Sequence, residues 1–313
     1  MDQQGRPVSR RTVIRAGTGL AVAGLAGAAL AGRREPDPAR ARLAADAKPS
    51  GLTLQQQAGQ RVICSYAGLT PPSSLLDQIK AGEAAGVIFI TGNIASEAQI
   101  IGVIRQLAEA SEASPVQVPL LLMTDQEGGE VRRLPGAPAL SEKQIGASKD
   151  YQAAAAQGGT GAGDNLAGVG MNTDLAPVLD VYRKPGDFDD QYQRSYSMTA
   201  SVVEQCGQAC INAMQTCGVV PTAKHFPGLG AATASQDTDT EPVTLNVPLA
   251  TLRSVDELPY HGAIAAGVPM IMVSWAVYPA LDAKYPAGLS SAVVQGELRG
   301  HLGYQGVTIT DAL

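Results

Sequence analysis

Short apolar runs alternate along the chain with longer segments in which apolar residues recur every three or four positions. The short runs predict seven strands, at 62–66, 87–90, 120–123, 173–175, 219–223, 270–274 and 307–310. The longer segments predict helices at 73–85, 96–113, 151–166, 198–216, 249–266 and 290–302. In the clearest of these helices, Ser96 and Gln99 form a capping box ahead of a buried stripe that includes Ile100, Ile104 and Leu107. Strands separated by helices predict a parallel sheet with helices outside it.

Seven such units over residues 52–313 favour an α/β fold of the (β/α)₈ TIM-type barrel class that stops after strand 7. The alternative is a doubly wound sheet, which typically carries a glycine-rich turn after its first strand. The corresponding turn here, at 67–72, reads A-G-L-T-P-P and offers no phosphate cradle. The barrel domain is therefore predicted to span residues 52–313.

The first 31 residues have the pattern of an export signal. Arg10 and Arg11 precede a Gly/Ala/Leu stretch at 16–30, and the segment 29–31 provides the small residues that a signal peptidase reads. The pattern is similar to a twin-arginine signal peptide and predicts a secreted or cell-envelope protein. The apolar stretch is shorter than the ~20 residues that span a bilayer, so no stable membrane anchor is expected. Residues 32–51, rich in Pro, Ala and charge, are predicted to be a linker.

The charge balance limits the class of partner. The chain has 23 Lys and Arg against 29 Asp and Glu, and removal of residues 1–31 leaves 19 against 28, a net charge of −9. Such an acidic surface argues against nucleic acid and anionic lipid as partners. The four cysteines lack the paired spacing of a metal site, so we expect buried free thiols and neither a metal nor an organic cofactor.

Polar or aromatic residues follow the ends of five predicted strands. These strand ends carry D-Q-E-G-G-E-V-R-R (125–133), D-L-A-P-V-L-D (174–180), K-H-F-P-G (224–228), Trp275 and Asp311. In a barrel these ends share one rim, which is where barrel enzymes place their chemistry. Carboxylates and bases there bind hydroxyl groups, and an indole ring stacks on a sugar face. The rim therefore predicts a carbohydrate ligand.

Five ordered motifs resemble glycoside hydrolase family 3. They are the segments 125–133, 174–181 (D-L-A-P-V-L-D-V), 194–197 (R-S-Y-S), 224–228 and 306–311 (G-V-T-I-T-D). The chain looks most similar to the single-domain bacterial β-N-acetylhexosaminidases. The resemblance implies a retaining hydrolase that releases terminal β-linked N-acetylglucosamine, or a similar β-sugar, through a covalent glycosyl-enzyme intermediate. A β-glucosidase-like specificity and a catalytically inactive glycan-binding barrel are the alternatives that the residues leave open.

The resemblance implies a role for each matching position. Asp311 is expected to be the nucleophile. The side chains expected to bind the sugar are those of Asp125, Arg132, Arg194, Lys224, His225 and Trp275. Arg132 is preferred to Arg133 as the family arginine. The remaining histidines, His261 and His301, are each predicted at a helix end and are expected to be structural.

Two features depart from the family pattern. In the family's cell-wall-recycling enzymes, the loop after K-H-F-P-G carries an Asp-Ser-His element whose histidine is the acid/base, whereas the loop 229–241 here has no histidine. Asp237 is the candidate acid/base, with Asp239 and Glu241 as alternatives. The family barrel also continues past its nucleophile with a helix and an eighth strand, neither of which follows Asp311. We expect the chain to be a fragment of a longer gene product; a naturally truncated, inactive protein is the alternative.

Overall fold

The computed structural model describes residues 51–312, so the predicted signal peptide and nearly all of the predicted linker lie outside the described residues. In this range the strands are β1 (Ile63–Cys64), β2 (Gly86–Ile88), β3 (Leu121–Thr124), β4 (Gln126–Gly128), β5 (Val131–Arg132), β6 (Thr173–Asp174), β7 (Val220–Phe226), β8 (Met270–Val273) and β9 (Val307–Thr310). Strands β4 and β5 form an antiparallel hairpin directly after β3. The other seven form one sheet.

The seven-stranded sheet is parallel throughout and has the order β1-β2-β3-β6-β7-β8-β9. Each strand pairs with the next main-sheet strand along the chain, as in a barrel, whereas a doubly wound sheet reverses its order at a switch point. Within the described residues β1 and β9 each have a single neighbour, so the sheet is curled but open between them. The prediction of a TIM-type barrel with seven strands is confirmed.

Helices connect the strands on the outside of the sheet. They are α1 (Leu54–Gly59), α2 (Ser73–Lys80), α3 (Glu97–Glu112), α4 (Glu142–Gly146), α5 (Tyr151–Val169), α6 (Phe188–Gln191), α7 (Ala200–Thr216), α8 (Leu249–Thr251) and α9 (Leu258–Ala265). Two segments have π-helical geometry, Leu252–Asp256 and Ala292–His301. The single helix predicted at 249–266 is therefore three consecutive segments, and the helix predicted at 290–302 is wound more loosely than expected. None of the described helices is long and apolar enough to span a membrane.

Helix α3 illustrates how the sequence pattern becomes packing. The Ser96 hydroxyl accepts a hydrogen bond from the amide of Gln99, which caps the first turn. Ile100, Ile104 and Leu107, spaced by three or four residues, are buried against the sheet. The predicted start and buried stripe of this helix are confirmed.

The two longest described helices, α5 and α7, pack closely because small residues lie between them. A Cβ added at Gly159 would lie 2.5 Å from the carbonyl oxygen of Cys210, so only glycine allows this approach. All four cysteines are free thiols; Cys206 and Cys210 are buried, whereas Cys64 and Cys217 are partly exposed. The prediction of unpaired cysteines is confirmed, and that of complete burial holds for two of them.

Candidate active site

A buried lysine lies at the centre of the polar rim. The Nζ atom of Lys224 lies 2.7 Å from Asp125 Oδ1 and 2.7 Å from Glu127 Oε1. Asp125 directly follows β3, Glu127 belongs to the β4–β5 hairpin, and Lys224 lies in β7. Despite burial, the two carboxylates raise the pKa of Lys224, so its ammonium group stays charged. One cation from β7 thus fixes two carboxylates at the end of β3.

Lys224 and His225 both reach the rim because β7 is irregular at this point. The pairing between β7 and β8 shifts register between Ala223 and Phe226. In a regular strand, consecutive side chains point to opposite faces, and an extra residue re-aims one of them. Both side chains are buried in contact with carboxylates of the rim.

Arg194 completes the charge network around Glu127. Its Nε and Nη2 atoms donate to the two oxygens of Glu127, each at 2.9 Å, and its Nη1 lies 3.6 Å from Asp189 Oδ1. Burial raises the pKa of Glu127, but the charges of Arg194 and Lys224 and their hydrogen bonds outweigh it and lower the pKa to about 2. The sequence motifs placed Glu127 next to the predicted Asp125 without indicating this role.

His225 is held by a buried aspartate. Its Nδ1 lies 2.6 Å from Asp180 Oδ2, and Asp180 Oδ1 accepts a hydrogen bond from the amide of Leu229 at 2.6 Å. Burial lowers the pKa of His225, but the Asp180 charge, its hydrogen bond and then the Asp311 charge raise it overall. The Nε2 atom faces Asp311 Oδ2 at 4.0 Å and Arg194 Nη2 at 3.4 Å. Asp180 therefore orients the imidazole and favours its charged form.

Asp311 follows β9 at the same rim. Its amide donates to the carbonyl oxygen of Val273 at 3.3 Å, and its carboxylate is 17% exposed. The Trp275 indole Nε1 donates to the carbonyl oxygen of Ala312 at 2.6 Å. Trp275 therefore holds the backbone next to Asp311, while its ring packs over Gly288. Its predicted stacking on a sugar stays a prediction.

The structure brings Arg133, and not the predicted Arg132, to the cluster. Arg133 Nε lies 4.0 Å from Asp125 Oδ2. Arg132 Nη1 donates instead to the carbonyl oxygens of Gly136 at 2.7 Å and Pro138 at 3.4 Å. Adjacent residues in an extended segment point to opposite sides, so only one of the two arginines can face Asp125. The geometry favours the one that we ranked second.

The three acidic residues of the loop after β7 are not equivalent. Asp237 Oδ1 accepts a hydrogen bond from the amide of Asp239 at 2.9 Å, so this carboxylate shapes the turn. Desolvation by the neighbouring rim, then the negative charges of Asp311 and Asp237, raise the pKa of Asp239. By accessible surface Asp239 and Glu241 are both exposed, whereas Asp237 is half-buried. Asp239 is therefore the loop carboxylate whose protonation is coupled to Asp311.

One group of rim side chains has the composition of a cation site. Asp180, Asp189 and His225 each offer a ligand atom, and these atoms lie within 4.8 Å of one another. The Asp180–His225 hydrogen bond already occupies two of these atoms, so a cation would have to replace the shared proton.

This combination of barrel and rim matches one known family. Residues 54–313 match the Glycosyl hydrolase family 3 N terminal domain. The chain therefore belongs to glycosyl hydrolase family 3.

Individual relatives are more specific. An uncharacterized secreted glycosyl hydrolase of Arthroderma benhamiae is 46% identical over 276 residues, which cover 87% of this chain and 78% of the relative. Beta-hexosaminidase A of Pseudoalteromonas piscicida is 32% identical over 295 residues, covering 84% of this chain and 49% of that protein.

Among solved structures, a family 3 beta-N-acetylglucosaminidase from Paenibacillus sp. str. FPU-7 has a TM-score of 0.78 at 35% identity, covering 84% of this chain and 49% of that chain. A beta-N-acetylhexosaminidase from Beutenbergia cavernae has a TM-score of 0.76 at 32% identity, covering 84% and 79%. The chain thus spans about half the length of the Pseudoalteromonas and Paenibacillus proteins.

Proposed function

We propose that the protein is an exported, retaining glycosidase that releases terminal β-linked N-acetylglucosamine or a similar β-sugar. The observation that carries the proposal is the position of Asp311, whose carboxylate lies at a strand end 4.0 Å from His225 Nε2. Asp125, Lys224 and Arg194 on the same rim provide the charged hydrogen-bonding groups that sugar hydroxyls require. Relatives named for hexosamine substrates favour an N-acetylated sugar over glucose.

Asp311 acts as the nucleophile in this proposal. Its carboxylate attacks the anomeric carbon, the glycosidic C–O bond breaks, and a glycosyl ester forms while the departing oxygen takes a proton. Water then attacks the ester from the face that the leaving group vacated, which restores the β configuration. His225 orients the Asp311 carboxylate toward the sugar, and Asp180 keeps His225 in that orientation.

We assign the acid/base role to Asp239 ahead of Asp237. The general acid must keep a proton next to the nucleophile, and desolvation followed by the Asp311 charge raises the pKa of Asp239 in the required direction. Once Asp311 is esterified it is neutral, so the pKa of Asp239 falls and the same group can act as the base for the attacking water. Asp237 supports the turn that carries Asp239.

Azide trapping tests both roles on the full chain, with aryl β-N-acetylglucosaminide as substrate. We expect Asp311→Ala to lower kcat/KM at least roughly a thousandfold, because no covalent intermediate can form. Azide should restore turnover of Asp311→Ala with an α-glycosyl azide as product, since azide replaces the nucleophile. For Asp239→Ala, azide should give the β-glycosyl azide, since it replaces water in the second step.

Asp237→Ala is the matched control, because it removes a carboxylate from the same loop. It should not be rescued by azide. Rescue of Asp237→Ala instead of Asp239→Ala would overturn the acid/base assignment, and a fully active Asp311→Ala would overturn the nucleophile. Binding of N-acetylglucosamine without hydrolysis of any glycoside would identify a glycan-binding barrel, and a higher kcat/KM for the aryl β-glucoside would refute the hexosamine specificity.

The export part of the proposal rests on the first 31 residues and on the fungal relative that is named as secreted. Replacing both Arg10 and Arg11 by Lys should block twin-arginine transport, because that route reads the arginine pair. Undiminished export of this variant would refute the route.

A further inference from the structure

A second cluster of metal-ligating side chains lies outside the rim. Glu257, Glu297 and His301 each offer one ligand atom, and these atoms lie within 4.8 Å of one another. Glu257 lies between the π segment Leu252–Asp256 and α9, whereas Glu297 and His301 lie one turn apart in the π-helix Ala292–His301. The cluster therefore joins the helical layers of the last two barrel units.

Glu257 is buried against a second carboxyl group. It is 0% exposed, and no N–H or hydroxyl group of the described structure donates to either of its oxygens. Burial, the charge of Glu297 and a hydrogen bond between the two carboxyl groups raise the pKa of Glu257 to about 8. Glu297 is itself only 5% exposed. A cation placed among these atoms would displace the proton of that hydrogen bond and pair with both carboxylates.

We propose that Glu257, Glu297 and His301 bind one divalent transition-metal ion of the Zn²⁺ type. Two carboxylate oxygens and an imidazole nitrogen are a ligand set that suits zinc. Bonds of about 2.0–2.2 Å to a tetrahedral ion place its ligand atoms about 3.3–3.6 Å apart. Glu297 Oε1 and His301 Nε2 are 3.9 Å apart, and the His301 side chain is 45% exposed, so a small movement brings them to that separation.

Arg253 competes with the metal for Glu297. Its Nε and Nη2 atoms donate to the two Glu297 oxygens at 2.7 and 2.9 Å. The Arg253 side chain is 42% exposed and can turn into solvent, whereas Glu257 cannot. The guanidinium and the metal ion repel each other, so Arg253 sets how tightly the cluster holds a cation.

The backbone has π-helical hydrogen bonds at two of the proposed ligands, Glu257 and Glu297. The amide of Glu257 donates to the carbonyl oxygen of Leu252 at 2.8 Å, and the amide of Leu302 donates to that of Glu297 at 2.9 Å. Both bonds span five residues, which widens the helix at the residues that carry the ligands. Such π turns are frequent at functional sites. The bound metal would clamp α9 to the helix that leads into β9, and so support the strand that presents Asp311.

The test is calorimetric titration of the metal-free full chain with ZnCl₂, alongside thermal unfolding with and without Zn²⁺. The rim residues Asp180, Asp189 and His225 could also bind Zn²⁺, so the number of ions bound does not identify the site. The Zn²⁺ affinity of each variant is therefore compared with that of the wild type. His301→Ala and Glu257→Gln should each weaken one Zn²⁺ site at least roughly tenfold and abolish its contribution to the melting temperature.

Two further variants make the result specific. His261→Ala removes the other exposed histidine of the helical layer and should bind Zn²⁺ like the wild type. Arg253→Gln should tighten the site, because it removes the competing charge. Equal Zn²⁺ affinity in the wild type, His301→Ala and Glu257→Gln, or no binding by the wild type at all, would overturn the proposal.

Discussion

At the scale of single residues, the rim is organised by pairs of opposite charge with unequal tasks. Lys224 and Arg194 neutralise Glu127 and Asp125 inside the barrel, and together they form a fixed set of charges. His225 and Asp311 lie on the same rim, and His225 Nε2 faces the partly exposed carboxylate of Asp311 at 4.0 Å. Ion pairs buried in this way contribute little net stability, but they hold donors and acceptors in place before a ligand arrives.

Asp180→Asn tests whether Asp180 charges His225. Asparagine keeps an oxygen for the Leu229 amide but removes the negative charge that raises the pKa of His225. The titration midpoint of His225 should therefore move to lower pH, measured by NMR of histidine-labelled protein. Ser195→Ala is the control, because it removes only the hydroxyl that donates to the Asp180 backbone carbonyl. An unchanged midpoint in Asp180→Asn would show that another group charges the imidazole.

Some site residues can be predicted from sequence and others only from the fold. Lys224 and Asp311 end apolar runs, so their place at the rim follows from the barrel pattern. Glu127 and Asp180 lie within the quoted motifs, but nothing local indicates that they pair with residues far away in sequence. The choice between Arg132 and Arg133 depends on which of the two side chains points toward Asp125. The sequence motif alone does not determine this.

At the scale of elements, the regular segments follow their sequence and the irregular ones do not. Helix α3 begins at its predicted cap, and the predicted strand at 307–310 coincides with β9. The sequence of the β4–β5 hairpin is typical of a loop, because its strands are short and rich in glycine and charged residues. The hairpin is therefore not predicted. The π segments have ordinary helical composition, so nothing in their sequence predicts the wider turn.

Gly159→Ala tests the close packing of α5 against α7. The added methyl group would lie 2.5 Å from the Cys210 carbonyl oxygen, so the helices must separate. We expect the free energy of unfolding to fall by about 1–3 kcal/mol, measured by urea denaturation. Gly168→Ala, in the same helix with open space around it, should instead raise stability by up to about 1 kcal/mol. If both variants are stabilised alike, the tight contact is not a constraint.

At the scale of the whole molecule, buried carboxyl groups link stability to pH. Burial raises the pKa of Asp174 to about 8 and, with the charge of Asp180, that of Asp189 to about 7. A carboxyl group whose pKa is raised on folding contributes fully to the free energy of unfolding below its unfolded pKa of about 4. That contribution is lost as the pH rises through the folded pKa, here about 7 to 8. Glu127, with its pKa lowered to about 2, contributes in the opposite sense, above about pH 4.5. The two effects together predict maximal stability at mildly acidic pH.

Thermal unfolding between pH 4 and 9 tests this balance. The wild-type melting temperature should decline from about pH 5 to 8, and Asp174→Asn should show a shallower decline, because it removes one ionisation while keeping an oxygen for the Gln126 amide. Asp77→Asn changes a carboxylate that is 73% exposed and should follow the wild-type curve. Identical slopes for Asp174→Asn and the wild type would contradict the assigned burial effect.

The overall architecture is the part that the sequence determines best. Parallel strands are joined by right-handed connections, and consecutive strands usually lie next to each other in the sheet. These two rules leave few possible topologies for seven apolar runs separated by helical segments. The strand order follows from these rules alone. How far the sheet curls depends on the sum of many small twists, which no single motif records.

The four unpaired thiols have a consequence for the compartment in which the protein can fold. Within residues 51–312 no disulfide joins two parts of the barrel, and burial raises the pKa of the Cys206 thiol to about 12, which keeps it from forming the reactive thiolate at neutral pH. The native state therefore needs neither an oxidant nor an isomerase, and the barrel can be completed in a reducing cytosol. The twin-arginine route proposed above carries already folded proteins, and a barrel that folds without disulfides meets that condition.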